Sequence, residues 1–349
     1  MNYTDYQKND RAGNALSDRL NLVPTWGWPG SDNLLSSQDL TFPVANTPIG
    51  RLSVVHGKEV EDYLEKVKEY ELAQNTAPNT VAGRAWMKQG IHVTGSSDLY
   101  LGTVLCNYMD VYQRLIEDTL YGAKVHMFCK TSTNPIEQVA PDKIAQLFNE
   151  GISFLNYFGH SSATTLEFNI DDPQNYNNQG KYPVFYVNGC KAGDFFTFYQ
   201  QRLTLNETLS ERYTLAKQRG AIAFIASTHY GVVNYLNLYL TGLYDVINHR
   251  DYNKTLGETM SEALGGMLKS TGSYDFYSRM HAEQITLHGD PALKMNTQAK
   301  PDYVIEESLI KINPLFISLA ETKYTLKIKT MNLGKAIGDS ITLEIKQQY

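Results

Sequence analysis

Apolar and polar positions along this chain follow two different periods, and the points where one gives way to the other mark its elements. Val60, Tyr63, Leu64 and Val67 fall at i, i+3, i+4 and i+7 among glutamates and lysines. That stripe predicts an amphipathic helix over residues 57–73, broken by Ala77-Pro78-Asn79-Thr80. Short apolar runs then alternate with helical patterns, as βαβ units and a mostly parallel sheet require. The runs at 90–94, 123–128, 152–158, 184–188 and 221–226 predict five strands, with helices at 99–120, 142–149, 208–219, 236–248 and 255–268. Gly151 and Gly220 stand where a helix stops before the next strand. Residues 1–45, including Trp26-Gly27-Trp28-Pro29-Gly30, hold no sustained period and predict loop and short strand.

After Ile285-Thr286-Leu287-His288-Gly289-Asp290-Pro291 the texture changes again, and Lys300-Pro301-Asp302 reads as a linker. Alternation in Lys323-Tyr324-Thr325-Leu326-Lys327-Ile328-Lys329 and Ile341-Thr342-Leu343-Glu344-Ile345, with turn signals between, predicts an antiparallel immunoglobulin-like module. Residues 303–349 are fewer than the about 100 such a sandwich needs, so the module is expected to be partial.

Two strands end in reactive side chains. Val184-Phe185-Tyr186-Val187-Asn188 stops at Gly189-Cys190, and thirty residues earlier Phe154-Leu155-Asn156-Tyr157-Phe158 stops at Gly159-His160. Neighbouring parallel strands would set His160 and Cys190 side by side at the carboxyl edge, where open α/β sheets carry their sites. A cysteine nucleophile needs a neighbour that takes its proton, and histidine suits that task near neutral pH. Backbone amides in the glycine-flanked turns supply an oxyanion hole. The bland reading of Cys190, a small buried hydrophobe, leaves the matching Gly-His turn unexplained.

His229 and Tyr230, just after the fifth strand, read as a wall of the cleft, and Gly189 as backbone open to substrate. Asp98, after the first strand, reads as a helix N-cap or, more sharply, as a pocket selecting basic side chains. Glu167 is a candidate to orient the imidazole. Asp171-Asp172-Pro173 fits a calcium site or a turn, the turn being the favoured reading. His92 and His126 read as packed or edge histidines, and Cys106 and Cys129 as core residues.

Composition narrows the classes. At 349 residues, with 42% hydrophobic and 19% charged residues, the chain is an ordinary globular one of more than typical single-domain size. A net charge of −6 without a basic stripe excludes nucleic acid as the expected partner. Three cysteines are too few for a disulfide framework and lack zinc spacing. No apolar run is long enough to span a membrane, and Met1-Asn2-Tyr3-Thr4-Asp5-Tyr6 has no signal-peptide character. The chain reads as a piece of a longer polypeptide.

Tyr157-Phe158-Gly159-His160-Ser161-Ser162 and Asn188-Gly189-Cys190-Lys191-Ala192-Gly193-Asp194-Phe195 together resemble the catalytic signature of the gingipain family of caspase-like cysteine peptidases. Thr47-Pro48-Ile49-Gly50-Arg51-Leu52 resembles the end of that family's amino-terminal subdomain, and Leu287-His288-Gly289-Asp290-Pro291-Ala292-Leu293 the segment closing its catalytic subdomain. The resemblance implies a caspase-like αβα sandwich with a mostly parallel sheet, followed by the start of an immunoglobulin-like β-sandwich. It divides the chain at 1–80, 81–299 and 300–349. It makes Cys190 the nucleophile, His160 its proton-transfer partner, and the Cys190 and Ser161 amides the oxyanion hole. It implies protein substrates, no required cofactor, no catalytic metal, and a secreted or outer-membrane-surface location in a bacterium. The Gly-His-Ser-Ser form is closer to the sortase-like, type IX secretion branch, whose members transfer cargo to an anchor and would have other secretion components as partners. The rival readings are a catalytically silent scaffold that binds partner proteins, and a nucleotide-binding doubly wound protein. The second lacks any phosphate-cradling glycine motif.

Overall fold

The computed structural model describes residues 23, 25–27, 29–134, 141–196, 204–205, 208–250, 252–272, 275–315 and 323–346. Most of the loop expected over 1–45, residues 1–22 above all, lies outside them. The expected strands form β1 (Gln89–Gly95), β2 (Lys124–Phe128), β3 (Phe154–Gly159), β4 (Val184–Asn188) and β5 (Ala223–Ser227), all parallel. A sixth, β6 (Ile285–Gly289), joins them antiparallel, and the order across the sheet is β2-β1-β3-β4-β5-β6. The helices longer than one turn are α1 (Gly57–Thr76), α2 (Leu99–Glu117), α3 (Pro141–Glu150), α4 (Leu209–Thr214), α5 (Val233–Asp245), α6 (Leu256–Thr271) and α7 (Phe276–Gln284) among the described residues.

Strand residues alternate between two cores, which is why the sheet is covered on both faces. Phe154, Phe158, Val184, Tyr186, Ala223 and Ile225 pack with Leu105, Met109, Leu240 and Leu264 of α2, α5 and α6. Leu155, Tyr157, Phe185, Val187 and Phe224 pack with Ile144, Phe148 and Tyr213 of α3 and α4. The result is the expected αβα sandwich. His92 is fully buried: its ring nitrogens lie 3.2 Å from the Met109 carbonyl and 2.5 Å from the Tyr244 hydroxyl. Half-buried His126 lies on the edge strand β2.

The sheet's amino-end rim is closed by α1. Tyr63 Oη donates to the Ile222 carbonyl (3.0 Å), and buried Lys66 Nζ donates to the carbonyls of Tyr213, Thr214 and Ala216. Those carbonyls mark the end of α4, so that helix is shorter than the predicted 208–219. The carboxyl-terminal segment packs on the same rim: Val81 N donates to Glu306, Arg84 pairs with Asp302, and Lys88 Nζ donates to the Gly334 carbonyl. Its strands are Tyr303–Val304 paired with Met331–Asn332, and Ile310–Asn313 paired with Thr325–Ile328, both antiparallel. The predicted strand over 341–345 is absent. Ile341, Leu343 and Ile345 stay exposed because no second apolar layer among the described residues lies over them.

Two further expectations are corrected. The α5 helix begins at Val233, earlier than predicted, and continues as a π turn over Val246–Arg250. Cys106 and Cys129 are half-buried and form a disulfide, with Cα atoms 5.8 Å apart. The bridge joins α2 to the end of β2, a proximity created by the chain reversal between them.

Candidate active site

Strands β3 and β4 pair in register up to Phe158 and Asn188. Two residues beyond each partner come His160 and Cys190, at the carboxyl edge of adjacent strands about 4.8 Å apart. His160 is exposed and Cys190 half-buried, its thiol free. The two turns are bonded directly, since Ser161 Oγ donates to the Cys190 carbonyl at 2.8 Å. Glycine is compulsory at both approaches. A Cβ at Gly159 would stand 2.1 Å from the Gly95 carbonyl oxygen, and one at Gly189 would stand 2.2 Å from Ser161 Oγ and 2.5 Å from the Gly159 carbonyl oxygen. Ser161 itself adopts no left-handed conformation, so a side chain is tolerated there.

The turn after Cys190 is strained, with Lys191 at φ 59°. It is held by the segment that follows β5: Lys191 N donates to the His229 carbonyl (2.7 Å) and Gly193 N to that of Ser227 (2.9 Å). His229 and Tyr230 meet edge to face at 4.2 Å, and the Lys191 ammonium sits 5.4 Å from the Tyr230 ring centre. Burial, and next the Lys191 charge, lower the pKa of the His229 imidazole. His229 and Tyr230 therefore stand beside the Cys190 turn, with a cation on the Tyr230 ring. Gly231, whose part the sequence did not reveal, points its amide at Cys190 Sγ over 3.5 Å.

Asp98 lies on the same edge, exposed, and its carboxylate accepts from Leu101 N at 3.0 Å. It is the N-cap of α2, so the commoner use of aspartate accounts for its geometry. Glu167 is held by Ser97 Oγ (2.6 Å) and by the buried ammonium of Lys130 (3.0 Å). Burial raises the pKa of its carboxyl, but those hydrogen bonds and the Lys130 charge outweigh this and bring it below the usual range, His160 adding a smaller pull. Glu167 is thus a charge near His160, and its own amide donates to the His160 carbonyl at 3.3 Å. Lys130 gives no sequence signal, because its partner comes from the loop that follows β3.

Asp171 and Asp172 make loop hydrogen bonds to Leu166 N and Gln174 N, which fits the turn reading. No group of three or more potential metal-binding side chains occurs among the described residues. Nor does a helix long and apolar enough to cross a membrane.

A model of the family described as peptidase family C25 matches residues 2–296. Gingipain R2 of Porphyromonas gingivalis is 25% identical over 193 residues, which is 52% of this chain and 23% of the relative. Gingipain R1 of the same organism gives the same identity over 17% of its length. The chain thus spans less than a quarter of these relatives. Among solved structures, the Arg-specific cysteine proteinase gingipain R superposes with a TM-score of 0.61 at 19% identity, covering 81% of this chain and 64% of the other. Its complex of pro- and mature domains matches with the same score over 66% of that chain. This likeness establishes the caspase-like gingipain fold.

Proposed function

The chain belongs to peptidase family C25, and from that premise we propose that it is a cysteine peptidase acting on protein substrates through Cys190 and His160. The observation that carries the reading is the bonded pair of turns at the ends of β3 and β4. His160 takes the Cys190 proton, and the thiolate attacks a peptide carbonyl. The Cys190 and Ser161 amides hold the tetrahedral oxyanion, each worth about 3 kcal/mol in the transition state. His160 then returns the proton to the leaving amine, and a thioester remains on Cys190. Water releases the acid; an acceptor amine instead gives a new amide. The chemistry requires no cofactor.

The sortase-like role in type IX secretion, with other secretion components as partners, is the finer form of this proposal, and the Gly-His-Ser-Ser sequence supports it. A bacterial-surface or secreted location has independent support in the Cys106–Cys129 disulfide, since such bonds persist in oxidising compartments. Of the cleft residues, Tyr230 and His229 line the substrate path and Gly189 offers its backbone. The Lys191 cation disfavours basic side chains beside them, which argues against Asp98 as a selector of arginine or lysine.

A peptidyl acyloxymethyl ketone tests the centre. Modification of Cys190 that disappears in His160→Ala is expected. Absence of labelling across a library of such probes would instead leave a silent scaffold. Product analysis with and without amine acceptors separates hydrolysis from transfer.

A further inference from the structure

The segment 227–232 touches the nucleophile turn at three points: Gly193 N to the Ser227 carbonyl, Lys191 N to the His229 carbonyl, and Gly231 N to Cys190 Sγ. Contact is tight, for a Cβ on Gly231 would lie 3.0 Å from the Gly189 carbonyl oxygen and 2.6 Å from Leu236 Cδ1. The other side of this segment is anchored by α7. Thr228 N donates to the Gln284 carbonyl at 3.0 Å, and Val232 N donates to His281 Nε2 at 2.8 Å. His281 is 0% exposed, and its Nδ1 lies 2.7 Å from the Tyr277 carbonyl. One protonation state satisfies both contacts: the neutral ring with its proton on Nδ1, donating to Tyr277 and accepting from Val232. Tyr235 stacks on the ring at 5.7 Å and 16°, and its hydroxyl is tied to Asp275 (3.1 Å). Val232 is the residue next to Gly231, so the acceptor on His281 sets the position of the peptide that faces the sulfur.

We propose that His281 is a positioning residue for the Cys190 centre, its unprotonated Nε2 fixing residues 229–232 so that the Gly231 amide stays directed at the nucleophilic sulfur. The inference rests on the reading of Cys190 as nucleophile and assigns a second imidazole, remote from substrate, to the same site. It is carried by α7, which reaches Cys190 through its bonds to Thr228 and Val232 of this segment.

Cys190 is the one cysteine outside the disulfide, so its alkylation by iodoacetamide at pH 7 reports on that sulfur alone. His281→Leu, which removes the acceptor, is expected to slow alkylation about fivefold, the equivalent of one hydrogen bond. His281→Gln, whose amide oxygen can accept from Val232, is expected to stay within about twofold of the parent. Equal rates in His281→Leu and the parent overturn the inference and leave the nucleophile in place. A glutamine variant as slow as the leucine variant also overturns it, by showing that ring packing and not the acceptor matters. A parent rate no faster than that of free glutathione removes the nucleophile, and the positioning role falls with it. Circular dichroism checks that each variant is folded; if His281→Leu is not, His281→Asn, whose amide falls short of Val232, takes its place in the same comparison.

Discussion

Replacing both Cys106 and Cys129 by alanine removes the bridge between α2 and the edge strand β2 while leaving Cys190 untouched. The bridged residues are 23 apart in sequence. Closing a loop of that length removes unfolded-chain entropy equivalent to about 3 kcal/mol at room temperature. Both cysteines are half-buried, so the cavity left by truncation adds little. Spread over the unfolding entropy of a chain this size, the loss lowers the melting temperature by about 4 °C. The assay is a thermal scan of the parent and the double variant without reductant, followed by the parent in dithiothreitol, which should melt with the double variant. Thiol titration supplies the companion measurement: one reactive thiol in the denatured, unreduced parent and three after reduction. Three thiols without reductant, or melting temperatures within 1 °C of each other, would refute the reasoning.

Other outcomes follow from single side chains. Gly189→Ala is expected to force the Ser161 and Cys190 turns apart, slowing Cys190 labelling at least tenfold and costing about 1–3 kcal/mol. Gly266→Ala, in α6 with open space around it, should stabilise by up to about 1 kcal/mol; equal behaviour of the two variants would contradict the packing argument. Burial pushes the Asp171 carboxyl up to about 6, against the Leu166 amide and the Arg212 charge. Its folded pKa therefore exceeds the unfolded value of about 3.9, so the stability owed to the neutral form is present in full below about pH 4 and lost as pH rises through about 6. Asp171→Asn should accordingly gain up to about 3 kcal/mol over the parent at pH 8 and little at pH 4, and a gain independent of pH in thermal scans would exclude the linkage.

Five strands and the paired Gly-His and Gly-Cys turns were legible because each is a local pattern: an apolar run ended by a glycine and a polar residue. What escaped the sequence was either weakly patterned or made by distant partners. The strand β6 is obscured in the sequence because it follows a helix, α7, whose apolar residues form no clear stripe: Phe276 and Tyr277 are exposed while Ser278 and His281 are buried. The contacts of His281 and Gly231 leave no sequence signal for the same reason, since they depend on α7 returning to the end of β5. The disulfide depended on α2 and β2 folding back on one another, which periodicity does not report. Asp98 carries both readings in the sequence, and the contact the structure shows is the N-cap one, a carboxylate just ahead of a helix accepting from that helix's own amide.

The antiparallel course of β6 brings Gly289 back beside Ala223, at the start of β5, so the polypeptide departs from the face of the molecule turned away from the thiol. Asp302, Glu306 and Gly334 of the carboxyl-terminal segment accordingly pack at the end of the sheet opposite Cys190 and His160. On the proposed reading, an addition to that end of the molecule leaves the Cys190 edge unobstructed, so the chemistry tolerates whatever the chain carries there.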